Sequence, residues 1–270
     1  MHIDPIQIGR LKVSKFIIGG NPFSGYSHHG AEKDMEMKRY YTVARIKEAL
    51  RQAEDLGIDT FIGRTDNHIM RMLLAYWDEG GTIQWIAQTA TGLDSIDRAV
   101  KNAIAGGAKA CFIHGGQMDR AIVNNTVEGI HRAVSKINDA GMPAGIAGHN
   151  PKVFEWAEEN LDIDFYMVSY YDPSSRAKQA EYSNHAVEKY PAEDRELKAR
   201  LIKKLSKPAI HYKIMAAGRN NPEEAISFVA ENLRPQDGIC VGIYTRENPQ
   251  MIKEDLHLFE QSLAERQNPK

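Results

Sequence analysis

The chain has 270 residues, 42% hydrophobic and 26% charged, a balance that fills one barrel-sized domain and is too apolar for a disordered chain. Its 34 Lys and Arg stand against 36 Asp and Glu, a net charge of −2, so no basic field exists to hold a phosphate backbone and nucleic acid is not an expected partner. No apolar run approaches membrane-spanning length, and Met1-His2-Ile3-Asp4-Pro5 lacks the pattern of a secretion signal, so no membrane is expected and the expected location is cytoplasmic.

Short apolar runs recur along the chain at 16–20, 60–63, 84–88, 110–114, 144–148, 165–169, 209–213 and 239–243, which is the pattern of parallel strands buried on both faces. After the first run comes a long connection from Ser24 to Thr42, readable as a lid or as a solvated excursion. The spacing Val43, Ile46, Ala49, Leu50, Ala53, Leu56 then predicts a helix stopped by Gly57. Cys111 and Cys240 each sit inside an apolar run, which suits buried, reduced thiols. Asn125-Thr126-Val127-Glu128 resembles a capping-box start and leads through Ile130, Ala133, Val134 and Ile137 to Gly141. A second long connection spans 173–191 with the same lid or excursion alternatives, and Pro222 and Pro249 stand where helices begin after the seventh and eighth runs.

Eight strand-helix units predict an α/β fold, a (β/α)8 TIM barrel forming a single domain over 1–270. The rival, an open doubly wound sheet, carries a glycine-rich nucleotide turn after its first strand, and Gly19-Gly20-Asn21-Pro22 is not that turn.

In a barrel the carboxyl ends of the strands share one mouth, which makes the polar residues there a single constellation. Asp66, His68, His114 and Lys213 are the candidate catalytic residues, and Asn21, Arg64, His149, Asn150, Tyr170, Asp172 and Arg219 the candidate substrate contacts. Imidazole and carboxylate ligate divalent metals, so His114, His149 and Asp66 are candidate ligands, although no paired-His spacing places two of them on one element. The alternative is that each His bonds a carbonyl or a substrate hydroxyl. Lys213 either acts as a base or nucleophile or holds an anion, and Arg64 and Arg219 add capacity for a carboxylate or phosphate. Ala216-Ala217-Gly218-Arg219 ahead of Pro222 offers backbone donors at a helix start.

The order of segments resembles the aldo/keto reductase superfamily. Ile6 to Gly20 looks like its barrel-plugging hairpin and first strand, Ile113-His114 like its fourth-strand histidine, and Gly145 to Asn150 like its fifth-strand glycine-to-asparagine segment. Lys213 to Gly218 resembles its seventh-strand loop, and Gly242 to Pro249 its final cofactor-phosphate loop. The resemblance implies a barrel with an amino-terminal hairpin. Where that family places its Asp, Tyr and Lys this sequence has approximately Gly63, His68 and Thr89, and Asp255 stands near a cofactor contact. The expected function is therefore acid/base chemistry, with or without a divalent metal, on a polar carbonyl or sugar-like small molecule of lyase, isomerase or hydrolase type. An NADP-dependent reductase with His68 as an altered acid is the alternative, and a non-catalytic binding barrel the third. An anionic substrate and a homo-oligomer are both compatible with the sequence.

Overall fold

The computed structural model describes residues 3–89, 96–172 and 189–267. It opens on an antiparallel hairpin of β1 (Ile6–Ile8) and β2 (Leu11–Val13), turned at Gly9 with φ +52°. A side chain there would be strained and would also meet the Asp164 carboxylate, whose Oδ1 lies 2.6 Å from an added Cβ.

Eight parallel strands follow: β3 (Phe16–Gly19), β4 (Thr60–Arg64), β5 (Gln84–Gln88), β6 (Ala110–Ile113), β7 (Ala144–Gly148), β8 (Phe165–Ser169), β9 (Ala209–Tyr212) and β10 (Gly238–Gly242). They close into a barrel, with β10 paired to both β3 and β9. The eight apolar runs thus fall on the eight barrel strands, and the hairpin stands apart from them.

Strand side chains alternate between two faces, and two separate hydrophobic clusters record that alternation. Ile17, Ile62, Ile86, Phe112, Ala147, Met167, Ile210 and Cys240 fill the interior together with Ile6, Ile8 and Val13 of the hairpin. The hairpin therefore plugs the amino end, where Ile6 approaches Gly238 at the start of β10. Their neighbours Phe16, Ile18, Phe61, Trp85, Cys111, Ile146, Tyr166 and Val168 face outward against the helices. Burial pushes the Cys111 and Cys240 thiols up to about 12, consistent with inert buried groups.

The described helices are α1 (Ala31–Tyr40), α2 (Val43–Asp55), α3 (Asn67–Asp78), α4 (Ile96–Ala105), α5 (Gly115–Asn124), α6 (Glu128–Asp139), α7 (Pro151–Asn160), α8 (Ala192–Ile202), α9 (Pro222–Asn232) and α10 (Met251–Gln267). Helices α2 and α6 lie where apolar spacing predicts them, and Pro222 opens α9. None of the described helices is long and apolar enough to cross a membrane.

The connection from Ser24 to Thr42 is not an open loop: it holds α1, whose charged faces hide it from an apolar-periodicity reading. Helix α1 is fastened to the segment after β10, with Tyr244 Oη donating to Glu36 at 2.5 Å and Arg246 paired with Glu36 at 2.7 Å. Asn125 does not start α6. It ends α5 in the left-handed region at φ +52°, and the N-cap of α6, Val127, makes no side-chain bond. Of the second long connection, 173–188 lies outside the described residues.

Candidate active site

The alternation that fills the barrel also decides what stands at its mouth. Continuing the interior set by two residues on each strand gives Gly19, Arg64, Gln88, His114, His149, Ser169, Tyr212 and Gly242. His114, one residue past β6, is the N-cap of α5, and its Nδ1 accepts from the Gly116 N–H at 3.1 Å. A ring whose Nδ1 accepts carries its proton on Nε2, which makes His114 a hydrogen-bond donor on that side. Thr89 supports it, since its Oγ1 accepts from the His114 N–H at 2.8 Å and donates to Gln117 at 2.5 Å.

His149 has the opposite arrangement. Asp119, wholly buried on α5, receives the His149 backbone N–H at 3.1 Å, the Asn150 N–H at 3.2 Å and His149 Nδ1 at 2.8 Å. A proton held on Nδ1 leaves Nε2 as the acceptor, and the Tyr212 hydroxyl faces it at 3.4 Å. That distance is long for such a bond. His149 is 2% exposed and Tyr212 is half-buried, so the phenol is the outer end of an Asp119–His149–Tyr212 chain. Gly115 makes room for the ring: an added Cβ would lie 2.9 Å from His149 Cε1 and 3.3 Å from Tyr212 Oη.

Arg64, at the end of β4, has Nε bonded to Asp66 at 3.0 Å and its guanidinium over the Tyr26 ring at 4.7 Å. Asp66 is otherwise the N-cap of α3, accepting from Ile69 N, and His68 is exposed in the first turn of that helix. The proposed metal set of His114, His149 and Asp66 is not gathered. His114 Nδ1 and both Asp66 oxygens have other partners, and no three His, Cys, Asp or Glu among the described residues are grouped to hold a metal.

Tyr170 is the clearest correction. It is 1% exposed, turned outward against Phe228 of α9, and its hydroxyl bonds His211 Nδ1 at 2.9 Å. His211 in turn reaches Asp237 at 3.4 Å, and burial lowers its pKa, so the Tyr170–His211–Asp237 set is a structural network behind the barrel wall. Asn150 caps α7 through Lys152 N. Lys213 is half-buried with a left-handed backbone at φ +59°, and Asp172 donates its backbone N–H to Asp194 at 3.1 Å. The Asn21 carbonyl accepts from Ser24 and Tyr26 within the turn after β3.

Arg219 joins the loops around the mouth. Its Nη2 donates to the His28 carbonyl at 2.8 Å, its guanidinium lies over Tyr190 at 4.5 Å, and His29 Nε2 donates to Ala217 O at 2.7 Å. Asn220 Nδ2 donates to the Tyr171 hydroxyl at 2.8 Å, so segments following β3, β8 and β9 are tied together. Ala216, Ala217 and Gly218 are all left-handed, which makes this the most contorted stretch of the described backbone.

No protein-family model matches the chain, and no curated protein matches it. Solved structures do. Gox0644 in its apo form shares 12% identity over 98% of this chain and 94% of its own, with a TM-score of 0.61. An aldo/keto reductase from Brucella melitensis shares 9% identity over 97% and 99%, with a TM-score of 0.55. A truncated 3-deoxy-D-arabino-heptulosonate 7-phosphate synthase from Thermotoga maritima shares 14% over 97% and 90%, also at 0.55. The likeness is one of fold. Aldo/keto reductases are among the similar barrels, alongside barrels of other chemistry.

Sequence reading missed Tyr212 and Asp119. The two-residue alternation along 209–213 would have chosen Tyr212 over His211, whereas Asp119 lies on a helix with no motif to mark it.

Proposed function

We propose that this barrel is an enzyme of acid/base chemistry acting on a small polar carbonyl or sugar-like compound, with Tyr212 as the group that exchanges a proton with it. The supporting observation is the chain of a buried carboxylate, an imidazole oriented by it, and a phenol at the mouth. Asp119 holds the His149 tautomer, Nε2 takes the Tyr212 proton, and the phenolic oxygen works on the substrate. On this reading His114 donates through Nε2–H to the substrate oxygen that gains negative charge, a role suited to a neutral imidazole. Arg64 and Lys213 supply positive charge for an anionic substrate group, and Asn21, Asp172 and Arg219 belong to the surrounding loops. Similar barrels include a reductase and a heptulosonate phosphate synthase, so the neighbours favour an enzyme while leaving lyase, isomerase and hydrolase chemistry equally open.

The test is solvent-deuterium incorporation into a panel of small hydroxyaldehydes, hydroxyketones and their phosphates, followed by proton NMR. The wild-type protein is expected to exchange or convert at least one of them. Tyr212→Phe is expected to lower that rate by roughly 10²–10⁴-fold with binding retained. Turnover appearing only with NADPH would reassign the barrel as an oxidoreductase, and tight binding without exchange or turnover would make it a non-catalytic binder.

A further inference from the structure

A second charged group is buried behind the relay. Lys198 on α8 is 1% exposed, and its ammonium donates to the main-chain carbonyl of His149. Burial lowers its pKa, and Asp172, Asp194 and Asp119 act in the opposite direction, from the segment after β8, the first turn of α8, and α5 respectively. An aliphatic side chain would fill the same volume without desolvating a charge, so what the lysine adds is its charge and its bond. His149 is consequently flanked by a carboxylate at its ring and an ammonium at its backbone. Among the described residues the titratable groups bonded to it are Asp119, Lys198 and Tyr212.

We infer that Lys198 is a positioning residue for the relay: it anchors the His149 backbone, and its positive charge offsets Asp119 so that the imidazole stays neutral and able to accept the Tyr212 proton. The inference rests on the relay proposed above, but its test does not require a substrate. Removing a neighbouring positive charge makes an imidazolium easier to form, so loss of Lys198 raises the proton affinity of His149, whereas a purely space-filling role leaves it unchanged.

The experiment is a pH titration of the full chain carrying carbon-13-labelled His and Lys, read by NMR. In Lys198→Gln, which keeps a donor for the carbonyl without the charge, and in Lys198→Met, the His149 midpoint is expected to rise by about one pH unit, a tenfold change in proton affinity. Lys198→Arg is expected to restore the wild-type midpoint. In the unmodified protein the His149 and Lys198 resonances should share an inflection, a readout that survives even if the variants fail to fold. An unchanged midpoint in folded Lys198→Gln, or no shared inflection in the wild type, overturns the inference. Failure of the relay itself would appear separately, as Tyr212→Phe without kinetic effect.

Discussion

Tyr170 and Tyr212 lie at the ends of neighbouring strands and point to opposite sides of the barrel wall. Tyr212 continues the interior set and meets His149, whereas Tyr170 continues the outer set and meets His211. The two hydroxyls therefore have different consequences when removed. Tyr170→Phe leaves buried His211 Nδ1 without its phenol partner and is expected to cost about 1–3 kcal/mol of stability with turnover unchanged, measured by urea unfolding beside the deuterium assay. A loss of turnover with unchanged stability would show that Tyr170 touches substrate after all. Side-chain direction was legible in the strand sequences, since 209–213 alternates outward and inward. Reading strand ends without that alternation placed Tyr170 at the mouth and passed over Tyr212. Asp119 was not legible, because a single Asp on a helix gives no sign that three hydrogen bonds from the next strand end converge on it.

Among the helices, α10 carries a group that fits poorly with its surroundings. Asp255 is 3% exposed, its Oδ2 has no hydrogen-bond partner, and burial, with Glu254 adding a little, raises its carboxyl from 3.8 to about 7. The folded state thus binds a proton at Asp255 that the unfolded chain has released, so this group's contribution to stability is fully present below about pH 4 and is lost as pH rises through about 7. Asp255→Asn removes that dependence. The variant is expected to gain on the order of 2 kcal/mol over wild type at pH 8 and nothing of that kind at pH 4, read from thermal unfolding at both values. An equal difference at the two pH values would assign the effect to packing instead. Other helices show why some were easier to foresee. Helix α2 has a strong apolar stripe with Ile46, Ala49, Leu50 and Ala53 buried, whereas α1 buries only Met37 and is held by polar contacts to the segment after β10. Apolar spacing finds the first kind and not the second.

At the scale of the whole molecule, eight apolar runs sufficed for the barrel, because parallel strands covered on both faces have no polar alternation to blur them. The hairpin followed from the likeness of 6–20 to a known barrel type, and its Ile6, Ile8 and Val13 close the amino end. Closing one end leaves the carboxyl ends of the strands as the open face, where adjacent β6 and β7 deliver His114 and His149. Their partners, the Gly116 N–H and the Asp119 carboxylate, place the ring protons on opposite nitrogens, giving one donor and one acceptor at a single mouth. That pairing is the basis of the proposed proton relay, and a nitrogen-15 NMR spectrum of the histidine side chains through two-bond couplings reads it directly at neutral pH. The expected spectrum shows His149 as the Nδ1–H tautomer and His114 as the Nε2–H tautomer, with the His149 assignment lost in Asp119→Asn. Finding His149 protonated on Nε2, or both rings in one tautomer, would contradict the relay and with it the proposed chemistry.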